Sequence, residues 1–203
     1  MLVSEVADMK IHNDIASNQK IINMEELQNL GYSYYKISQM VEAGVLNKLN
    51  KKSYENLKFN GEDSEFYYIK AYIPNGVVCL MSAAVFYGLS VYRPIAIDVA
   101  VDRDDYVMPM PEWPIFNIYY FQEKRLNEGI ATISDGANKF RIYDIEKTVA
   151  DIIYYRNKIG IEETKEVFTN YLKRKDRNLN KLCRYADKLK VRDILNTYME
   201  VLV

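Results

Sequence analysis

Apolar side chains in the first sixty residues recur at helical spacing in short bursts that end at glycines. Val3, Val6, Ala7, Met9, Ile11 and Ile15 predict a first helix over 3–16. Asn23 can cap a short helix from Met24 to Leu30; Glu25 and Glu26 fall in its first turn, where the helix dipole favours acids, and Gly31 ends it. Ser33 can cap the next helix, in which Ile37, Met40 and Val41 form a buried stripe until Gly44 stops it. Residues 45–49 and 53–59 then read as two short strands joined by Asn50, Lys51 and Lys52, a hairpin with a basic tip.

The polar run NGEDSE, residues 60–65, marks a boundary and divides the chain into domains 1–60 and 61–203. After a Pro74-Asn75-Gly76 turn, an alanine-rich stretch following Ser82 predicts a helix that stops at Gly88. Residues 95–101 and 115–121 alternate as strands, and Pro109, Pro111 and Pro114 make the intervening stretch a loop. Short strands near 130–133 and 140–142 complete a sheet, after which helices are predicted over 144–157, 162–174, 178–189 and 191–202. The expected fold class is α+β: an N-terminal winged helix-turn-helix plus a larger C-terminal α+β domain, a small sheet followed by a helical bundle.

In a winged helix-turn-helix, the other helices and the wing bury the inner stripe of the last helix and leave its outer face free for a major groove. Tyr35, Lys36 and Gln39 are expected on that outer face, with Ser33 at its start and Tyr34 near the buried boundary. Gln can pair with adenine, Lys with guanine or phosphate, and Tyr with phosphate or a thymine methyl. Lys48, Lys51 and Lys52 on the wing would meet phosphates. Glu42, at the edge of the same face, opposes this, because a carboxylate is repelled by phosphate.

Composition changes this picture only in part. The net charge of −1 hides a partition: acids outnumber bases between Gly61 and Asn138, and the balance reverses from Lys139 to Arg192. Lys173, Arg174, Lys175, Arg177, Lys181, Arg184 and Lys188 crowd the C-terminal helices, which favours anionic partners there unless these are merely solvated faces. Cys79 and Cys183 have no metal-ligand spacing and predict no disulfide framework. No apolar run approaches the roughly 20 residues of a membrane span, and the start has no signal-peptide pattern, so a cytoplasmic location is expected.

Enzymatic chemistry finds little support. Asp98 and Asp102, four apart on a strand near Asp104 and Asp105, could hold Mg²⁺ in a nuclease, but no catalytic lysine stands on an adjoining strand. The only histidine, His12, lies in the first predicted helix, which leaves no nucleophile–histidine pairing. No glycine-rich phosphate loop occurs, so no cofactor, metal or catalytic residue is expected. Asp144 and Glu146 fit a helix start, and Asp151 can pair with Lys147 one turn back. The 18 tyrosines could stack on bases, but Tyr119, Tyr120, Tyr154 and Tyr155 are expected to line the core.

Three stretches in order carry a resemblance. LGYSYYKISQMVEAGVLNKL is similar to a helix-turn-helix and the start of its wing; IPNGVVCLMSAAVFYGLSVYRPIAIDVAV carries Ser82, Ala83, Gly88, Leu89, Ser90 and Pro94; RIYDIEKTVADIIYYRNKIGIEETKEVFTNYL carries Asp144, Glu146, Lys147, Thr148 and Asp151. The set resembles the AbiEi family, antitoxins of type IV abortive-infection toxin–antitoxin systems, over nearly the whole chain. The resemblance implies an N-terminal domain that binds inverted repeats upstream of its own operon, as two copies of a monomer. It also implies a C-terminal domain that neutralises a nucleotidyltransferase-like toxin without a stable complex. The recognition helix departs from the more basic family pattern, with Tyr34, Tyr35 and Gln39 where Arg or Lys is frequent. The alternatives are a regulator with a ligand-sensing C-terminal domain and a metal-dependent nuclease.

Overall fold

The computed structural model describes residues 19–105 and 109–202; the helix predicted over 3–16, and His12 with it, lies outside them. The described chain is mixed α+β and divides into two compact units. The first runs to Asn75 and includes Pro109 and Ile133–Phe140, and the second holds the remainder from Gly76 onward.

The first unit begins with strand β1 (Ile21–Asn23), helix α1 (Met24–Asn29) and helix α2 (Tyr34–Glu42), followed by the hairpin β2 (Leu46–Lys48) and β3 (Ser53–Asn56). Gly31 and Gly44 end the two helices at φ of 89° and 68°, left-handed values that glycine adopts without a Cβ clash. The strands form one antiparallel sheet in the order β1-β3-β2. Sequence periodicity misses β1, because Ile21 and Ile22 are both buried and alternation is lost when a sheet is covered on both faces. Register explains the two faces. Ile22 pairs with Tyr54 and packs with Leu27, Ile37, Met40 and Leu46 under α1 and α2, whereas Ile21 pairs with Glu55 on the other side.

That other side is covered by a 3₁₀ turn, Glu65–Tyr68, leading into helix α3 (Ile69–Tyr72). Tyr68 donates to Glu55 at 2.6 Å, and Lys70 donates to Glu26 at 2.7 Å. Residues 61–75 therefore belong to the first unit, and its limit falls at Asn75 and not at residue 60. The polar run read as a boundary is a surface loop of this unit, in which Asp63 pairs with Lys20 at 2.9 Å.

The second unit is built on β4 (Val77–Val78), α4 (Leu80–Phe86), β5 (Ile97–Asp102), β6 (Phe116–Phe121), α5 (Glu123–Leu126), the first part of β7 (Ile130–Asp135) and the last part of β8 (Asn138–Tyr143), the residues between, Ile133–Phe140, being counted with the first unit. Strand order is β6-β5-β4-β8-β7, with β5 parallel to β6 and β4 parallel to β8. A parallel pair needs a crossover of a dozen or so residues, and the stretch between Asp102 and Phe116, which has no helix among its described residues, is long enough to provide it. Five helices complete the unit: α6 (Ile145–Tyr154), α7 (Arg156–Ile159), α8 (Ile161–Lys173), α9 (Leu179–Lys188) and α10 (Arg192–Leu202). Helix α6 is buried from Glu146 to Ile153 and forms the centre of the core with Leu80, Phe121, Tyr143 and Phe168.

Candidate nucleic-acid interface

Helix α2 starts where the Ser33 hydroxyl accepts the Lys36 N–H at 3.3 Å. One residue turns an α-helix by about 100°, so residues three and four apart share a face. Ile37 and Met40 carry the buried face, with Val41 half-buried beside them. Opposite them Tyr35, Ser38, Gln39 and Glu42 form one exposed stripe, in which Tyr35 is 74% exposed. Two expectations change. Lys36 lies about 100° round from Tyr35, on the flank, and is half-buried; Ser38 takes its place in the stripe. Tyr34, expected near the buried boundary, is 65% exposed, because at the first helical position it has no preceding turn to pack on.

The hairpin beside this helix is seated by its backbone and by one asparagine. Leu49 and Asn50 N–H groups both donate to the Ser53 carbonyl, at 3.1 and 3.3 Å. The Asn50 side chain accepts the Lys52 N–H at 2.9 Å and donates to the Ala71 carbonyl at 3.0 Å. The Lys52 carbonyl in turn accepts the Met24 N–H at 2.8 Å. Both ends of the turn are fixed, so Lys51 and Lys52 extend from a rigid base, which lowers the ordering cost of meeting a ligand. Lys48, Lys51 and Lys52 are all exposed, and none is ion-paired within the described residues.

Register ties this hairpin to the start of α2. Lys48 is the direct partner of Tyr54, and cross-strand partners share a face of the sheet. Burial raises the Tyr54 phenol, and the nearby Tyr34 hydroxyl raises it further. Tyr54 also packs in one buried cluster with Ile37 and Met40 of α2, so the helix and the lysine strand border one surface of the first unit.

The basic C-terminal helices are different. Lys173, Lys175, Arg177 and Arg184 are exposed, but Arg174 makes two 2.9 Å bonds to Asp176 and a third to the Tyr87 carbonyl. Lys181 bridges Asp144 at 3.2 Å and Glu146 at 3.3 Å, and Lys188 pairs with Glu128. Three of the seven expected cations are thus ion-paired, Arg174 with its neighbour Asp176 and Lys181 and Lys188 with acids from earlier in the chain. These groups border a cleft of about 290 Å³ lined by Glu128, Gly129, Lys181, Arg184, Tyr185 and Lys188.

Several acidic residues of the second unit are structural ligands of its own backbone and cations. Asp98 is 3% exposed; its carboxylate accepts from Asn117 at 3.2 Å, its own N–H donates to the Ser82 hydroxyl at 2.8 Å, and the amides of Met81 and Ser82 at the start of α4 lower its pKa. Leu80 stands at φ of 45°, which is strained for a residue with a Cβ, in the turn that presents these amides to the carboxylate. Burial raises the Asp98 carboxyl, and these hydrogen bonds offset that only in part. Asp102 accepts the Asp104 N–H at 3.1 Å, within its own turn. Among the described residues no group of three or more His, Cys, Asp or Glu side chains is arranged to hold a metal ion.

Asp144 caps α6 by accepting the Lys147 N–H at 2.9 Å. Inside the core Asp151 receives Lys147 on one carboxylate oxygen and Arg125 on the other, the latter at 2.9 Å. Two cations share one carboxylate, and aromatic faces provide further negative potential. The Arg125 guanidinium lies 4.0 Å from the Phe121 ring centre and 4.5 Å from that of Tyr154, and the Lys147 ammonium lies 4.3 Å from that of Tyr143. Burial lowers the Lys147 pKa despite Asp151. Helical spacing made the Lys147–Asp151 pair legible, but Arg125 comes from far away in sequence and left no signal.

The tyrosines divide. Tyr119 and Tyr155 pack on the core, whereas Tyr120 and Tyr154 are exposed, Tyr154 lying over Arg125. Strand β6 and helix α6 each place successive residues on different faces, so adjacent tyrosines cannot all point inward. Cys79 is buried, Cys183 is half-buried, and both are free thiols. No described helix is long and apolar enough to cross a membrane. The chain matches no protein-family model and no curated protein.

Proposed function

We propose that the first unit is a winged helix-turn-helix that binds operator DNA and that the whole protein is a non-enzymatic autorepressor and antitoxin of the type IV abortive-infection kind. The observation that carries the DNA-binding part is the outward stripe of α2 bordered by three exposed, unpaired lysines on a rigid hairpin. A helix end set in a major groove and a basic wing on adjacent phosphates is a docking arrangement that this chemistry suits. Its operator is an inverted repeat in its own promoter, occupied by two copies of the chain.

The antitoxin part rests on the likeness of the three ordered stretches to the AbiEi family. In this reading the second unit neutralises a cytoplasmic nucleotidyltransferase-like toxin without a lasting complex, and Lys173, Lys175 and Arg184 are its uncommitted cations, Arg177 donating to the Arg174 carbonyl at 2.7 Å. Gel retardation of the promoter fragment, together with co-expression with the gene immediately downstream, tests both halves. Retardation that weakens as salt rises, and rescue of growth from the downstream product, are expected. Absence of retardation at low salt would overturn the first half, and absence of rescue the second.

A further inference from the structure

We propose that the α2 stripe is built to read adenine–thymine pairs, Gln39 on adenine and Tyr35 on a neighbouring thymine methyl, and that it carries no Arg or Lys to read the paired acceptors of guanine. This rests on the DNA-binding reading above. In the major groove adenine presents an acceptor and a donor side by side, N7 and N6, and a glutamine amide offers the matching donor and acceptor. Guanine presents two acceptors, N7 and O6, and is read by the paired donors of Arg or by Lys.

No residue of the stripe is cationic. Tyr35, Ser38, Gln39 and Glu42 occupy it, and the nearest base on the helix, Lys36, is half-buried on the flank. The exposed lysines belong to the hairpin, where Lys48 lies in β2 and Lys51 and Lys52 in the turn. Ser38 can donate or accept and so does not discriminate between bases. Glu42 is the last residue of α2, and the N-terminal part of a recognition helix is the part that approaches base edges. Its carboxylate is left beside phosphates, which repel it. Gln39 remains the one exposed amide on the face, and the Tyr35 ring lies one turn away, close enough to cover an adjoining methyl group.

The test uses the full chain and a random-sequence duplex library, followed by anisotropy titrations at one fixed salt concentration. Selected half-sites should share an adenine–thymine pair at one position. Gln39→Ala should weaken binding to the selected site by about 5- to 100-fold, leaving binding to unselected DNA and the salt slope unchanged. Gln39→Arg should move the preferred base at that position to guanine. Gln39 is exposed, so both variants should melt with the parent chain, which a thermal scan confirms before titration. Half-sites centred on a guanine whose preference survives Gln39→Ala would overturn this base assignment while leaving DNA binding intact. Failure to retain any duplex at low salt would overturn the DNA-binding reading itself.

Discussion

The hairpin of the first unit and helix α9 of the second are both rich in basic residues, yet the environment gives their charges opposite uses. On the hairpin Lys48, Lys51 and Lys52 extend into solvent, and the hydrogen bonds that hold the turn are made by Asn50 and by backbone groups. On α9 Lys181 and Lys188 are bonded to Glu128, Asp144 and Glu146, all distant in sequence. A count of bases along the chain favours the C-terminal helices as the anionic-partner surface, but Arg174, Lys181 and Lys188 are already ion-paired there. A cation whose counter-ion is already in the fold contributes to stability, and one without is available to a ligand. Substitutions can separate these two uses.

The largest effect is expected at the most committed charge. Asp151→Ala would leave Lys147 and Arg125 buried without their shared carboxylate and should cost about 3–5 kcal/mol of unfolding free energy. Urea denaturation measures this directly. Asp151→Asn keeps the volume and one acceptor and should fall between the parent chain and the alanine variant. If Asp151→Ala unfolded at the parent's urea midpoint, the triad would contribute nothing, and the contrast between committed and free cations would fail at its strongest point.

Next comes the free side of the comparison. Lys51→Ala combined with Lys52→Ala should weaken binding to every duplex and flatten the log–log salt dependence by about 1.8, because each phosphate contact releases about 0.9 of a counter-ion. Thermal stability should not move, since neither side chain holds the turn. The result would contradict the assignment if the salt slope stayed at the parent value.

Most of the fold was legible in the sequence where structure is local. Caps and stops at Asn23, Gly31, Ser33 and Gly44 define α1 and α2, and the spacing of Ile37 and Met40 gives the buried stripe. The four predicted C-terminal helices all form, although the first breaks at Tyr155 into α6 and α7. Long-range pairing was not legible. Strand β1 exists because β3 completes it, residues 61–75 join the first unit through Glu55, Glu26 and Asn50, and Arg125 finds Asp151 only in the folded chain. On the outward face of α2 Lys36 and Ser38 exchange places relative to the expectation, because a residue one step from a face already lies on the helix flank.

A smaller effect tests α9 itself. Lys181→Ala removes the bridge to Asp144 and Glu146 and should cost up to about 1 kcal/mol, as partly exposed ion pairs do. Arg184→Ala, exposed on the same helix, should leave the urea midpoint unchanged. Equal costs for the two would mean that ion pairing does not distinguish the cations of this helix.

The smallest effect lies in the first unit, where Lys70 is a committed cation close to the free ones. It bonds to Glu26, which also accepts the Asn23 N–H at 2.7 Å. Burial alone would raise the Glu26 carboxyl; the Asn23 amide and the Lys70 ammonium together outweigh it and hold the group below its ordinary value of 4.5. A carboxyl lowered in the folded state adds stability that is fully present above its unfolded pKa and is lost as pH falls through the folded one. Unfolding free energy should therefore decline on the acid side of 4.5, and Glu26→Gln should make that decline shallower while lowering stability at neutral pH. The hairpin lysines have no such counter-ion in the described fold, so Lys51→Ala should leave the acid limb of the same curve where it was. Equal acid limbs for Glu26→Gln and the parent chain would show that Lys70 is no more committed than the hairpin lysines, and would remove the boundary between the two kinds of charge inside this unit.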